Sequence, residues 1–244
     1  MTAERPRAAI VTGGAAGIGL DIVRRLLDDG MNVVAADRNP QACDAARRLL
    51  VGRTAHVMEA DVAVEEQANE VVEEALRRFD GVHLLCNNAG VRHIAPLADI
   101  SFADWRESFR VNVDAALLTA RAALPAMRKE GSGVIVNIGS ISGVAPYAGG
   151  GAYASSKAAL AMLTKTLAVE FGPLGIRVNC IAPGSIDRDG GALSSSHIPV
   201  GRAGTPHDVA SLVSYLSSDE ASYLTGAVIV LDGGATAGRT RPGR

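Results

Sequence analysis

The sequence predicts an α/β fold: a Rossmann-type, doubly wound parallel sheet of about seven strands with helices on both faces, in a single domain. Three observations carry that expectation. Short apolar runs rich in β-branched residues alternate with longer helical patterns almost to the end of the 244 residues, and that alternation implies βαβ units around a parallel sheet covered on both faces. Each of these runs but the last is followed by a turn signal of Gly, Asn, Asp, Ser or Pro. The length suits one sizeable core, and 48% hydrophobic with 20% charged residues is an ordinary globular balance.

The first strand is Ala8–Val11, closed by Gly13-Gly14 and followed by a helix over Ile18–Asp29. The second, Asn32–Ala36, ends on Asp37 and leads into a helix over Pro40–Leu50. Thr54–Met58 is the third, running to Asp61 before a helix over Glu65–Phe79. Val82–Cys86 stops at Asn87-Asn88, ahead of a long helical stretch, Phe102–Arg128. Gly133–Ile138 is the fifth strand, with Ser140 beyond it and a helix over Tyr153–Phe171. Arg177–Ile181, terminated by Pro183-Gly184, then a helix over Pro206–Leu216 and a last strand, Ala227–Leu231, complete the pattern. In an open parallel sheet, ligands bind beyond the carboxyl ends of the strands, where these polar and Gly-rich residues gather. The domain is expected to span residues 1–235. Gly184–Ser196 lacks periodicity and reads as a flexible stretch within a substrate loop at about 184–204, and residues 236–244 read as a loose polar tail.

Composition excludes several classes of function. A net charge of −2 gives no electrostatic reason to expect nucleic acid or an anionic membrane as partner. No run approaches the roughly 18 apolar residues of a membrane span. The apolar stretch after Arg5 and Arg7 is too short for a signal peptide. The three cysteines (Cys43, Cys86, Cys180) lack metal-ligand spacing, so no metal site is expected and a reduced, cytoplasmic setting is the simplest reading.

After the first strand comes Thr12-Gly13-Gly14-Ala15-Ala16-Gly17-Ile18-Gly19. Glycines there let the backbone turn sharply and let a pyrophosphate approach the N-terminus of the next helix, where unsatisfied N–H groups and the dipole favour an anion. Such a turn alone serves equally for packing; the strand–turn–amphipathic helix context favours a dinucleotide, bound by Gly13, Gly17, Ile18 and Gly19. Asp37 can accept both ribose hydroxyls of an adenosine and would repel a 2′-phosphate, or it is simply a strand-end turn residue. Arg38 beside it could bind that phosphate, but no Lys or Arg inside Gly13–Gly19 assists, so NAD is expected over NADP. Asp61 and Val62 could flank an adenine, and Asn88, Ala89 and Gly90 suit a backbone that passes close to a cofactor, although either segment taken singly reads equally as turn chemistry.

The sharpest constellation is Ser140, Tyr153 and Lys157. Tyr153 and Lys157 are i,i+4 on an expected helix and share a face. A phenol ionises at about pH 10, so holding it as phenolate at neutral pH takes roughly 4 kcal/mol. A nearby ammonium supplies much of it and can also donate to ribose hydroxyls. Tyr153 can then protonate a carbonyl or take a proton from an alcohol, with Ser140 on the same oxygen. The alternative is a surface Tyr beside a solvated Lys. Against it, only three of 24 basic residues are Lys (Lys129, Lys157, Lys165), and of four Tyr only Tyr153 has Lys at +4.

With these motifs in order, the whole chain resembles a classical short-chain dehydrogenase/reductase. It carries that family's TGxxxGIG as Thr12–Gly19, NNAG as Asn87–Gly90, the Ser and YxxxK set as Ser140 with Tyr153–Lys157, and PG as Pro183-Gly184. The resemblance implies hydride transfer between NAD(H) and a small secondary alcohol or ketone. In that scheme Tyr153 is the general acid/base, Lys157 binds ribose and tunes the phenol, and Ser140, with Ser142 nearby, orients substrate. It implies further that Asn112 holds a water in a proton relay through Lys157, a residue that otherwise reads as a buried helix polar. Pro183, Gly184 and the backbone of Ile186 would meet the nicotinamide. A homotetramer built on the Phe102–Arg128 and Tyr153–Phe171 helices is also implied.

The chain departs from the family pattern in two places. Relatives often read PGxIxT, whereas Arg188 stands here in place of the Thr, and the loop to Gly201-Arg202 is shorter. The β-ketoacyl carrier-protein reductases, NADPH enzymes, are an alternative, disfavoured by Leu174 where they carry a basic residue and by Asp37, though Arg128-Lys129 could form a basic edge. Arg92, His93 and Tyr147 surround the expected pocket, with His93 read as a rim residue. A non-catalytic dinucleotide-binding scaffold or sensor is the alternative of another class, and the intact Ser–Tyr–Lys set opposes it.

Overall fold

The computed structural model describes residues 6–188, 195–196 and 198–238. The centre of the expected substrate loop (189–194 and 197) and most of the expected tail (239–244) lie outside the described residues. Seven strands form one sheet: β1 (Ala8–Thr12), β2 (Asn32–Asp37), β3 (Ala55–Glu59), β4 (Leu84–Asn87), β5 (Gly133–Ile138), β6 (Ile176–Pro183) and β7 (Val228–Leu231). All pairings are parallel, in the order β3-β2-β1-β4-β5-β6-β7. The chain winds outward from β1 to β3, then crosses back to lay β4 on the other side of β1. The winding direction therefore reverses between β1 and β4, and a crevice opens at their carboxyl ends.

The helices are α1 (Gly17–Asp28), α2 (Pro40–Leu49), α3 (Glu65–Phe79), α4 (Phe102–Phe109), α5 (Ala115–Glu130), α6 (Gly151–Phe171) and α7 (Pro206–Ser217). Two cores sandwich the sheet. On one face Ile22, Val23 and Leu26 of α1, Cys43 of α2 and Val209 and Val213 of α7 meet Ala9, Val11, Val33 and Val136. On the other, Val71 and Val72 of α3, Ala120 and Met127 of α5 and Leu167 and Phe171 of α6 meet Ile10, Val34, Leu85 and Ile135. Neighbouring strand residues thus point to opposite cores, which is why the strands read as unbroken apolar runs. α7 starts where Thr205 accepts from the Asp208 N–H and the Asp208 carboxylate accepts from the Thr205 N–H, with Pro206 at the first helical position.

One element differs from expectation. The single helix over Phe102–Arg128 is two helices, α4 and α5, joined by a π turn at Arg110–Asp114. The extra residue in that turn re-phases the helix, leaving both Val111 and Asn112 buried. Cys43, Cys86 and Cys180 are all unpaired thiols within the core. Among the described residues no helix is long and apolar enough to cross a membrane, and no group of three or more His, Cys, Asp or Glu could hold a metal ion.

Candidate active site

The first wall of the site is the turn after β1. Gly13 and Gly17 take left-handed backbone angles (φ +61° and +52°), and a Cβ on Gly19 would overlap the Gly13 carbonyl oxygen. Only glycine fits the crossing. α1 begins here with no side-chain cap on its N–H groups and no acidic residue in its first turn, so its amides remain available to an anion. Thr12 latches this turn to the end of β4. Its Oγ1 accepts from the N–H groups of Asn88 and Ala89, each at 3.1 Å, while Asn88 Nδ2 donates back to the carbonyls of Thr12 (3.0 Å) and Gly13 (2.9 Å).

Next along the crevice, the Asp37 carboxylate is held by the N–H groups of Ala15 (3.3 Å) and Asn39 (3.0 Å). A chain of alternating charges follows. Arg38 pairs with Glu107 at 3.2 Å, Glu107 with Arg110 at 2.6 Å, and Arg110 with Asp61 at 3.0 Å. Hydrogen bonds from Arg110, and secondarily from Arg38, hold the Glu107 carboxyl below its ordinary value although burial opposes them. Gly13, Gly17, Ile18, Asp37, Asp61 and Val62 line this half, a cleft of about 520 Å³.

The other half is a cavity of about 710 Å³, lined by Ser140, Ser142, Tyr153, Lys157, Pro183, Gly184 and Ile186 among others. Ile18, Asn88, Gly90, Val91 and Arg188 line both halves, so the two form one trough. Ser140 follows β5; its Oγ accepts from the Ser142 N–H at 3.1 Å and lies 3.1 Å from the Ser142 hydroxyl. A Cβ on Gly143 would approach the Lys157 carbonyl carbon to 2.8 Å, so glycine lets this short turn seat against α6. Lys157 is buried; its Nζ donates to the Ile138 carbonyl at 2.8 Å and lies 5.8 Å from the centroid of the Tyr153 ring. Burial lowers its ammonium to about 8. Burial raises the Tyr153 phenol, while a hydrogen bond with Ser140 and then the positive charges of Arg92 and Arg188 draw it down.

Asn112 sits in the π turn with its amide fully engaged. Oδ1 accepts from the Val91 N–H (2.8 Å), and Nδ2 donates to the Val91 carbonyl (3.0 Å) and to Ser156 Oγ (2.9 Å). The π turn, the loop after β4 and α6 are thereby tied together. Gly90 keeps the adjoining space open, since a Cβ there would lie 3.1 Å from Asn112 Oδ1 and 3.4 Å from Lys157 Nζ. Beneath the site runs a buried polar ladder. Asn87 Nδ2 donates to Asn137 Oδ1 (2.9 Å), Thr119 of α5 donates to Asn87 Oδ1 (2.7 Å), and Asn137 Nδ2 donates to Thr164 of α6 (2.9 Å).

All the candidate residues read from the sequence therefore gather in or beside one trough, with Asn112 just behind its wall. His93 is not among the lining residues. Its Nδ1 lies 3.3 Å from Asp104, and its buried Nε2 has no partner among the described residues. Sequence reasoning did not single out the Thr12 latch, the Glu107–Arg110 link or Ser156. Thr12 stood inside the quoted glycine motif; the other two carried no signal in the sequence.

A family model described as enoyl-(acyl carrier protein) reductase matches residues 13–236. The chain is 38% identical over 235 residues to a 3-alpha-(or 20-beta)-hydroxysteroid dehydrogenase of Mycobacterium tuberculosis, covering 95% of this chain and 90% of that one. It is 36% identical over 241 residues to a cis-4-hydroxycyclohexanecarboxylate dehydrogenase of Sinomonas cyclohexanicum, covering 95% and 97%. A crystal structure of an oxidoreductase of the short chain dehydrogenase/reductase family from Burkholderia thailandensis matches with a TM-score of 0.89 and 33% identity, over 96% of this chain and 94% of that one.

Proposed function

Since the chain belongs to the classical short-chain dehydrogenase/reductase family and is a dehydrogenase/reductase acting on CH–OH groups, we propose that it moves a hydride between NAD(H) and a secondary alcohol or ketone on an alicyclic ring. The observation that carries this reading is the meeting of Ser140, Tyr153 and Lys157 in one chamber continuous with the glycine-rich cleft. The trough fits a dinucleotide on its own features: the uncapped amides of α1 suit a diphosphate, and at Gly17, where a Cβ would meet nothing nearer than Arg188 at 3.8 Å, a ligand can come close to them. Ring alcohols are favoured because the names of the two relatives above include a ring hydroxyl in each case, the 3-alpha position of a steroid and the 4-position of cyclohexanecarboxylate.

When bound, the nicotinamide accepts or supplies the hydride. Tyr153 Oη handles the accompanying proton, taking it from the alcohol in oxidation and giving it to the carbonyl oxygen in reduction. Ser140 Oγ holds the same substrate oxygen, with Ser142 setting the Ser140 rotor. Lys157, anchored by the Ile138 carbonyl, presents its remaining donors toward the ribose. Asn112 positions Val91 and Ser156 through its amide, so a water relay at this residue would engage its backbone. Gly13, Gly17, Ile18, Gly19, Asn88, Ala89, Gly90, Pro183, Gly184 and Ile186 form the cofactor's walls, with Val62 and Asp61 at the adenine end.

NAD is preferred for two reasons. Asp37 is held by backbone N–H groups with its carboxylate lining the cleft, and Arg38, beside it in the chain, is held by Glu107. Initial rates with NADH and NADPH test this; strong NADPH preference would instead favour a 3-oxoacyl reductase. Tyr153→Phe should lower turnover about 10²–10⁴-fold with cofactor affinity nearly intact, and unchanged turnover would sink the mechanism. Leu117 on α5 and Met162 and Val169 on α6 are 37%, 61% and 77% exposed, which supports assembly through these helices into a homotetramer, measurable by sedimentation. Three unpaired buried thiols suit a reducing, cytoplasmic setting, and the continuous sheet suits a single domain over residues 1–235.

A further inference from the structure

We propose that the alcohol handled here also carries a carboxylate, received in the reaction chamber by Arg92, with Arg188 adding to the positive field. The proposal rests on the alcohol–ketone reading above and deepens it. Arg92 enters the chamber from the loop after β4 and Arg188 from the loop after β6, and with Lys157 they are the charged residues of its wall. No Asp or Glu lines that wall among the described residues.

The adenosine end is built differently. Arg38 and Arg110 there are each held by a carboxylate. Among the described residues no carboxylate pairs with Arg92; its guanidinium lies 5.9 Å from the centroid of the Tyr147 ring, which also lines the chamber. Both guanidinium groups line the same chamber as Tyr153, and their charge acts on its phenol. Between the charged groups the wall carries apolar side chains, Ile18, Val91, Ile138, Ile141 and Ile186, beside the hydroxyls of Ser140, Ser142, Tyr147 and Tyr153. An apolar ring bearing one carboxylate matches both features: the ring meets the aliphatic side chains and the carboxylate meets the fork of an arginine. A neutral ring alcohol would meet only half of that wall. Arg188 also lines the cofactor cleft, its stem within 3.8 Å of where a Cβ on Gly17 would lie. Arg92 lines the reaction chamber alone and is therefore the residue to change.

Calorimetric titration of the NAD⁺-saturated enzyme with cyclohexanecarboxylate and with cyclohexanecarboxamide tests the proposal without turnover. The carboxylate should bind about tenfold or more tightly than the amide, as expected for a charge-assisted pair. Arg92→Leu should erase that preference while leaving amide binding and NAD⁺ affinity unchanged, the latter showing that the variant is folded. In turnover, 4-hydroxycyclohexanecarboxylate should exceed its methyl ester in kcat/KM by a similar factor. Equal binding of the two probes, binding of neither, or a preference that survives Arg92→Leu would overturn the subsite. A carboxylate preference with no turnover of any ring alcohol would fault the hydride-transfer reading and leave the anion subsite standing.

Discussion

Replacing Thr12 by Val removes one oxygen at nearly constant volume and tests how the cofactor turn is held. That oxygen accepts two backbone N–H groups, from Asn88 and Ala89, at 3.1 Å each. Thr12 is itself 1% exposed, so no water can enter to replace the lost acceptor. A buried donor left without a partner costs about 1–3 kcal/mol. Asn88 and Ala89 are only half-buried, and Asn88 keeps its side-chain bonds to the Thr12 and Gly13 carbonyls, which places the pair near the lower end, at about 2–3 kcal/mol in total. For a chain of this size each kcal/mol lowers the melting temperature by about 2–4 °C, so the variant should melt about 4–12 °C below the parent. Urea titration followed by circular dichroism measures the loss, and NAD⁺ titration should show weakened binding, because the latch sets the gap between Gly13 and Gly90. Thr12→Ser, which keeps the oxygen, should recover both. Stability within about 0.5 kcal/mol of the parent, with unaltered NAD⁺ affinity, would refute the latch.

Two further outcomes are expected. Glu107→Gln releases Arg38 from its carboxylate and should raise the NADPH-to-NADH ratio of kcat/KM about tenfold, the scale of one charge-assisted hydrogen bond to a 2′-phosphate; an unmoved ratio counts against the clamp. Lys157 has its folded value lowered by burial from 10.5 to about 8, so above pH ~8 the unfolded chain binds more protons than the native one and stability contributed at this site rises with pH. Compared with Lys157→Met in parallel urea melts, the parent should therefore gain stability between about pH 8 and 10 at no more than ~1.4 kcal/mol per pH unit, with no such gain below pH ~7. A difference that stays flat with pH would exclude a buried, depressed ammonium.

What the sequence reveals of this site is what local spacing encodes. Tyr153 and Lys157 are one helical turn apart, and Gly13–Gly19 is a contiguous turn, so both can be read without knowing which strands are neighbours. β5 and α3 lie at the expected boundaries, Gly133–Ile138 and Glu65–Phe79, since each is an unmixed pattern bounded by clear breaks. The Thr12 latch is different in kind, because it exists only once β1 and β4 are adjacent, and they are far apart in the chain. The charge chain from Arg38 to Asp61 likewise joins the end of β2, α4, the π turn and the end of β3. The π turn itself leaves no local mark: the stretch around Asn112 has no glycine or proline to signal a break, and an extra residue per turn leaves the helical pattern intact on either side.

The buried ladder under the site bears on how the strands find their partners. β4 and β5 are otherwise uniformly aliphatic or small at their centres, Leu84–Cys86 against Val134–Val136, and such surfaces give little preference for one alignment over the next. Asn87 and Asn137 face each other directly in the observed alignment. Sliding either strand by a single residue would part the two amides in a buried interior, whereas Thr119 and Thr164 would keep the carbonyls of Ala115 and Leu160 on their own helices. The penalty for each unmatched polar group is about 1–3 kcal/mol, enough to reject the slipped pairing outright. The same asparagines set a common ruler for what lies just beyond them: Asn88–Gly90 on one strand and Ser140 on the other. A polar pair that touches neither cofactor nor substrate thus fixes how far the serine stands from the cofactor loop.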